Sequence, residues 1–313
     1  MTKTNITKLL GIKYPIFQGA MAQIARYELA SAVSNAGGLG IIASGGMSAD
    51  ELRHQIHECK KLTDKPFAVN LMLMMQNIDE LIDVIIEEEI KIVTTGAGTP
   101  RPFMEKLKSA DIIVIPVIPS VKIAKKMEEL GVDAVIAEGT EAGGHVGETT
   151  TMALLPQVTQ AVSIPVIAAG GIADGRGVAA AYVLGAQGVQ LGTLFLATEE
   201  CPVPNSFKNA VLDATDTSTT VTGRRNGAPV RSIKNPMIKK YLELEYSNAS
   251  RDELEELTLG SLRRAVYEGD VENGSVMAGQ ICGMITKVKP VKDVVEGLFK
   301  EADEVLNNTK IEY

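Results

Sequence analysis

Residues 141–147 read EAGGHVG and set one imidazole, His145, behind paired glycines just beyond the apolar run VDAVIAEG. An imidazole changes charge near neutral pH, so a histidine at a strand end with little bulk around it suits giving or taking a proton beside a substrate. The glycines imply a mobile loop. The other two histidines, His54 and His57, stand three apart on the polar stretch RHQIHECKK. Without a third ligand nearby they read as a solvated face, not a metal site. No serine or cysteine sits in a nucleophile-elbow context, so acyl-enzyme chemistry has no candidate. Cys59, Cys201 and Cys282 are far apart and in no CxxC spacing. They fit reduced thiols and suggest neither zinc nor an iron–sulfur cluster.

Glycine dominates the ends of the other apolar runs as well: GAM at 19–21, ASGG at 43–46, GAG at 96–98, GG at 170–171 and QLGT at 190–193, with Asn70 and Glu138 at two further ends. Glycine lets backbone N–H groups approach a ligand closely, so a ring of such ends describes a broad or anionic ligand. The loops AAGGIADGRG and QLGTLF close the last two runs and suit a phosphate. That phosphate would anchor a mononucleotide-like cofactor. Neither GGLG at 37–40 nor GGIADG at 170–175 has Rossmann spacing, and there is no Walker sequence.

The elements that must position these residues are legible from period and composition. Apolar runs begin at Tyr14, Gly38, Lys65, Ile90, Asp111, Val132, Ile164 and Ala186. Most are continuously apolar, as parallel strands buried on both faces are. Helical stretches alternate with them. In IDELIDVIIEEE the residues Ile78, Leu81, Ile82, Ile85 and Ile86 share one face, and Ser48 and Glu51 have capping-box spacing. Eight such units predict an α/β fold, a closed (β/α)8 TIM barrel, with an open doubly wound sheet as the alternative. Residues 199–273 break the pattern and read as a helical insertion, serving as a lid over the barrel mouth or as a dimerisation appendage. The barrel then comprises 1–198 and 274–313, with GSVMAGQICGMI from Gly274 as its eighth helix.

The whole chain narrows the function classes. Its 313 residues, 45% of them hydrophobic, can bury a substantial core. A net charge of −8 without a basic block, together with no Trp and 4% aromatics, gives no footprint for nucleic acid. No segment approaches the ~20 apolar residues of a membrane span, and the first residues lack a signal-peptide core. The expectation is a cytoplasmic protein without membrane contact.

In order and over nearly the whole chain, YPIFQGAM, SNAGGLGII, KPFAVN, VTTGAG, AVIAEGTEAGGHVG, IPVIAAGGIADGRG, GVQLGT and GSVMAGQICG resemble the FMN-dependent enoyl-acyl carrier protein reductase II family. That family lies in a superfamily with the nitronate monooxygenases, formerly 2-nitropropane dioxygenases. VTTGAG, Glu138 and GSVMAGQ resemble the reductase branch more closely. The resemblance implies a barrel with FMN at its mouth, its phosphate held by Gly170, Gly171, Gly192 and Thr193. Flavin contacts carry over to Ala20, Met21, Asn70, Glu138, Gly143 and Gln190, and the family's catalytic histidine to His145. It implies NADH or NADPH as cosubstrate, an enoyl thioester of acyl carrier protein as substrate and partner, a homodimer, and in some members a monovalent cation. Acyl carrier proteins are acidic, so docking needs a local basic patch. Arg224, Arg225, Arg231, Lys234, Lys239 and Lys240 are the candidates. Two other readings stay open: oxidation of nitronates with oxygen, and a redox-free lyase or isomerase using the phosphate site for its substrate.

Overall fold

The computed structural model describes residues 4–247 and 249–310, so the outermost residues of the expected barrel segments, 1–3 and 311–313, lie outside the described part. The eight apolar runs each form a strand: β1 (Ile16–Gln18), β2 (Gly40–Ala43), β3 (Phe67–Met72), β4 (Ile92–Gly96), β5 (Ile113–Ile118), β6 (Val135–Glu138), β8 (Val166–Ala169) and β9 (Gly188–Leu191). A short strand β7 (Gly144–His145) lies outside this sheet. The sheet order is β1-β9-β8-β6-β5-β4-β3-β2, with parallel neighbours throughout. Its two edges meet. Phe17 bridges Leu39, Leu39 donates its N–H to the Ile16 carbonyl at 2.8 Å, and Gln18 donates to the Leu39 carbonyl at 3.0 Å. This closure makes a barrel and removes the open-sheet alternative.

Alternate residues of each strand face the interior and the surrounding helices. Ile41, Ile167 and Ala169 join the inner cluster with Phe17, Ile115 and Ile136, whereas Ile42, Val166 and Ala168 pack outward. Double-sided burial explains why these runs read as continuously apolar. Ile6 and Leu10 of the leading helix (Asn5–Leu10) belong to the inner cluster too. Outside, the helix Ile78–Glu87 buries Ile78, Leu81, Ile82 and Ile85 as its period predicts. The helix Ala49–Leu62 uses half of its capping box: Ser48 Oγ accepts from the Glu51 N–H at 3.2 Å, while the Glu51 carboxylate takes Arg26 at 3.1 Å.

Two details of the second half differ from the sequence reading. The segment 199–273 holds the helices Asn205–Leu212, Pro236–Tyr246 and Arg251–Thr258, as expected of a helical insertion, but also an antiparallel hairpin, β10 (Thr219–Thr222) with β11 (Val230–Ile233). The β-branched run TTVT favours extended backbone, and the positive φ of Gly223 and Gly227 makes the turn. The run from Gly274 is not the eighth helix. Residues 274–279 form neither helix nor strand and lead into a short 3₁₀ turn, Gln280–Met284, and the helix that completes the barrel wall is Val291–Asn308. Close packing is the reason. A Cβ at Gly274 would stand 2.3 Å from the Asp270 carbonyl oxygen and one at Gly279 2.7 Å from that of Glu141, so these glycines serve close backbone approach rather than a helix. Among the described residues no helix is long and apolar enough to cross a membrane.

Candidate active site

The expected site residues all fall at the C-terminal ends of the strands, where a barrel gathers its functional side chains. Register aligns several of them. Glu138 of β6 lies beside Ala169 of β8, which lies beside Gln190 of β9, and Gln190 in turn pairs with Phe17. On the other side of the mouth Ala43, Asn70 and Thr94 form a second row, with Asn70 Nδ2 donating to Thr94 Oγ1 at 3.0 Å. Ala20 and Met21 follow β1 and lie half-buried. Glu138 is ringed by protein yet keeps partial solvent access, and burial pushes its carboxyl up to about 7. A carboxyl so placed exchanges its proton near neutrality.

Between the β8 and β9 loops lies a glycine cradle. Gly170 and Gly171 have φ of 88° and 73°, conformations that favour glycine. A Cβ on Gly170 would also meet the Gly139 carbonyl oxygen at 2.8 Å. Thr151 fixes this loop, its hydroxyl donating to the Gly170 carbonyl at 2.9 Å and its N–H to the Glu141 carboxylate at 2.9 Å. Gly192 differs in being uncrowded: an added Cβ would meet only the Met21 side chain, at 3.7 Å, an ordinary van der Waals contact. Among the described residues the N–H groups of Gly170, Gly171 and Gly192 have no protein acceptor. Thr193 Oγ1 accepts from the Gly279 N–H at 2.8 Å, and the Gln280 N–H donates to the Glu141 carbonyl at 2.9 Å. The 274–280 segment therefore walls the cradle.

His145 is exposed beside this mouth, but its backbone is not the free loop the glycines imply. β7 adds to the insertion hairpin, Gly144 pairing with Arg231 and His145 with Val230, and the Val146 N–H donates to the Pro229 carbonyl at 3.1 Å. Gly143 threads a tight gap, since a Cβ there would reach 2.7 Å from the Ala278 carbonyl carbon. The imidazole moves by its own side-chain torsions on a pinned strand.

Arg231 is a site residue that sequence reasoning misplaced. It is buried, its guanidinium donating to the Thr140 carbonyl at 3.0 and 3.2 Å and to Thr219 Oγ1 at 3.1 Å, and burial lowers its pKa. It locks the hairpin to the loop after β6 and leaves the basic surface set. Arg225 packs over the Tyr246 ring at 4.8 Å and donates to the Glu245 carbonyl, while Arg224, Lys234, Lys239 and Lys240 remain exposed. His54 and His57 are solvated as expected, with His57 Nε2 2.9 Å from Glu88 Oε1. Burial pushes the thiols of Cys59 and Cys201 up to about 12 and about 11, so neither is a ready nucleophile.

Uncrowded glycine backbone, an exposed imidazole and a half-buried carboxyl gathered at one mouth place the chain among the barrel enzymes. The family model described as nitronate monooxygenase matches residues 3–81 and 75–301, and the chain belongs to that family of oxidoreductases. The solved structure of FabK from Thermotoga maritima is 48% identical, with a TM-score of 0.95 and 98% of each chain covered. A probable nitronate monooxygenase of Staphylococcus saprophyticus is 35% identical, covering 97% of this chain and 99% of that protein. A (3aS,4S,5R,7aS)-5-hydroxy-7a-methyl-1-oxo-octahydro-1H-indene-4-carboxyl-CoA dehydrogenase of Rhodococcus jostii is 34% identical over 96% of each.

Proposed function

We propose that the chain is an FMN-dependent enoyl-acyl carrier protein reductase that uses NADH or NADPH to reduce the trans-2 double bond of an enoyl thioester. One observation carries this reading. GSVMAGQ, a motif by which the chain resembles the reductase branch, is the segment that walls the glycine cradle through Gly279 and Gln280. The full-length likeness to FabK, at higher identity than the relatives named for nitronates, supports it.

The residues present fit FMN. Unpaired N–H groups and the absence of a side chain at Gly192 suit a phosphate, and Gly170, Gly171, Gly192 and Thr193 would hold it. Glu141, the nearest carboxylate to Gly171, is already occupied by Thr151. Ala20, Met21, Asn70, Glu138, Gln190 and Gly143 would border the ring. When bound, FMN supplies hydride transfer from the nicotinamide to the β-carbon of the enoyl thioester. His145 then stabilises the thioester oxygen and delivers a proton to the α-carbon, from a strand that holds its backbone still. The exposed cations Arg224, Lys239 and Lys240 are the docking set for acyl carrier protein. The enzyme works as a homodimer in the cytoplasm.

The nitronate reading rests on the family model and on the relative from Staphylococcus saprophyticus. It assigns His145 the opposite task, as a base that takes the acidic α-proton of a nitroalkane to give the nitronate that oxygen then consumes. Steady-state assays separate the two: NAD(P)H oxidation driven by crotonyl thioester is the expected result. Oxygen uptake with an alkyl nitronate and no NAD(P)H turnover would replace the reductase reading.

A further inference from the structure

A cavity of about 350 Å³ lies between the insertion and the loop after β1. Its walls come from the hairpin (Val230, Ser232), the helix Pro236–Tyr246 (Ile238), the segment 260–263, Met277, and Gln23 from the loop after β1. It shares a wall with the mouth. Val230 pairs with His145, and Met277 Sδ lies 3.7 Å from where a Cβ of Gly144 would be.

Two polar atoms at this cavity have no partner among the described residues. Ser232 is 1% exposed and its Oγ is unpaired; Gln23 Oε1 is buried and unpaired, on a residue with φ of 62°. A buried polar atom without a partner is costly, and a side chain held at positive φ stores strain that functional sites retain. An all-carbon chain filling this space would leave both atoms unpaired. A ligand with amides spaced along a flexible linker would satisfy them, its N–H donating to Gln23 Oε1 and its carbonyl accepting from Ser232 Oγ. Cations border the same cavity. Arg251 is bonded to Glu255 at 2.6 Å, whereas Arg263 lies over the Tyr267 ring at 5.3 Å with no carboxylate partner among the described residues.

We propose that this cavity seats the phosphopantetheine arm of the thioester substrate, with its amides against Gln23 and Ser232, its phosphate toward Arg263 and its thioester delivered past Val230 to His145. The assignment rests on the thioester reading of the mouth and adds where the substrate is recognised. A nitronate has no such arm.

The test is calorimetry on flavin-loaded enzyme with unacylated 4′-phosphopantetheine, which carries no reducible bond, so binding is read without turnover. The wild type should bind. Ala228→Trp, at an exposed position lining the cavity, should abolish binding with the fold intact. Ser232→Val should weaken it about tenfold, and Arg263→Ala should weaken phosphopantetheine about tenfold while leaving pantetheine little changed. Absence of binding to the wild type, or unchanged binding in Ala228→Trp and Ser232→Val, overturns the proposal. An enzyme that binds the arm but fails to reduce crotonyl thioester would sink the reductase reading and leave the cavity assignment standing. One that reduces crotonyl thioester without binding the arm would do the reverse.

Discussion

Glu138 makes the site sensitive to pH through stability as well as chemistry. Its folded carboxyl titrates at about 7 against 4.5 unfolded, so the folded state holds the proton more tightly. The resulting stability is fully present below about pH 4.5 and lost as pH rises through about 7, a difference of roughly 3 kcal/mol. In flavin-free protein, Glu138→Gln should therefore gain stability over wild type in urea at pH 8 and show little of that gain at pH 4.5; an equal gain at both would mean that Glu138 does not titrate in this window. Gly192 offers a clean test of the cradle. Its φ of −109° accepts any residue and only the flexible Met21 side chain lies near an added Cβ. Gly192→Val should thus fold and lose FMN, and full flavin content would move the phosphate elsewhere. Gly171 serves less well, because its φ of 73° strains any side chain. For His145→Ala, flavin reduction by NAD(P)H should persist while reoxidation by crotonyl thioester slows ~10² to 10⁴-fold, as for a lost general acid; wild-type reoxidation in stopped flow would free His145 of that role.

At the scale of elements, the hairpin β10–β11 does two jobs: it captures β7 and so fixes the backbone of His145, and through buried Arg231 it clasps the loop after β6. Arg231→Met should raise KM for thioesters and loosen exchange protection of Gly144–Val146; unchanged protection would show that the ladder holds by itself. The burial of Arg231 also redraws the docking patch. Charge reversal at Arg224, Lys239 and Lys240 should raise KM for acyl carrier protein substrates, in a salt-dependent way, and spare small thioesters. Equal losses on both would assign these cations a structural role. This part of the molecule was the least legible in sequence. The barrel strands announce themselves because both faces are buried, as in GIIA at β2 and VIAA at β8, whereas TTVT and VRSI are half-polar, and VRSI also takes its place by pairing with the distant β7. GSVMAGQICGMI misled for a related reason: its apolar spacing passes for a helix, and only the backbones crowding Gly274 and Gly279 show why no α-helix forms there.

The molecule as a whole separates stability from chemistry along the barrel axis. Ile6 and Leu10 share the inner cluster with strand residues, and the candidate flavin-site residues sit at or just beyond the C-terminal strand ends. That separation is why glycine-rich strand ends located the mouth from sequence, while the cavity behind Ser232 and Gln23, assembled from segments about 200 residues apart, had no local signature. It also gathers the proposed chemistry in one place: in the reductase reading, electrons from nicotinamide leave that mouth on a thioester. Anaerobic mixing of NAD(P)H-reduced enzyme with crotonyl-CoA tests this most directly, by following the return of visible flavin absorbance and assaying the product. The reductase account predicts reoxidation without oxygen and one butyryl-CoA formed per flavin; a flavin that stays reduced until oxygen is admitted, with crotonyl-CoA recovered unchanged, would contradict it.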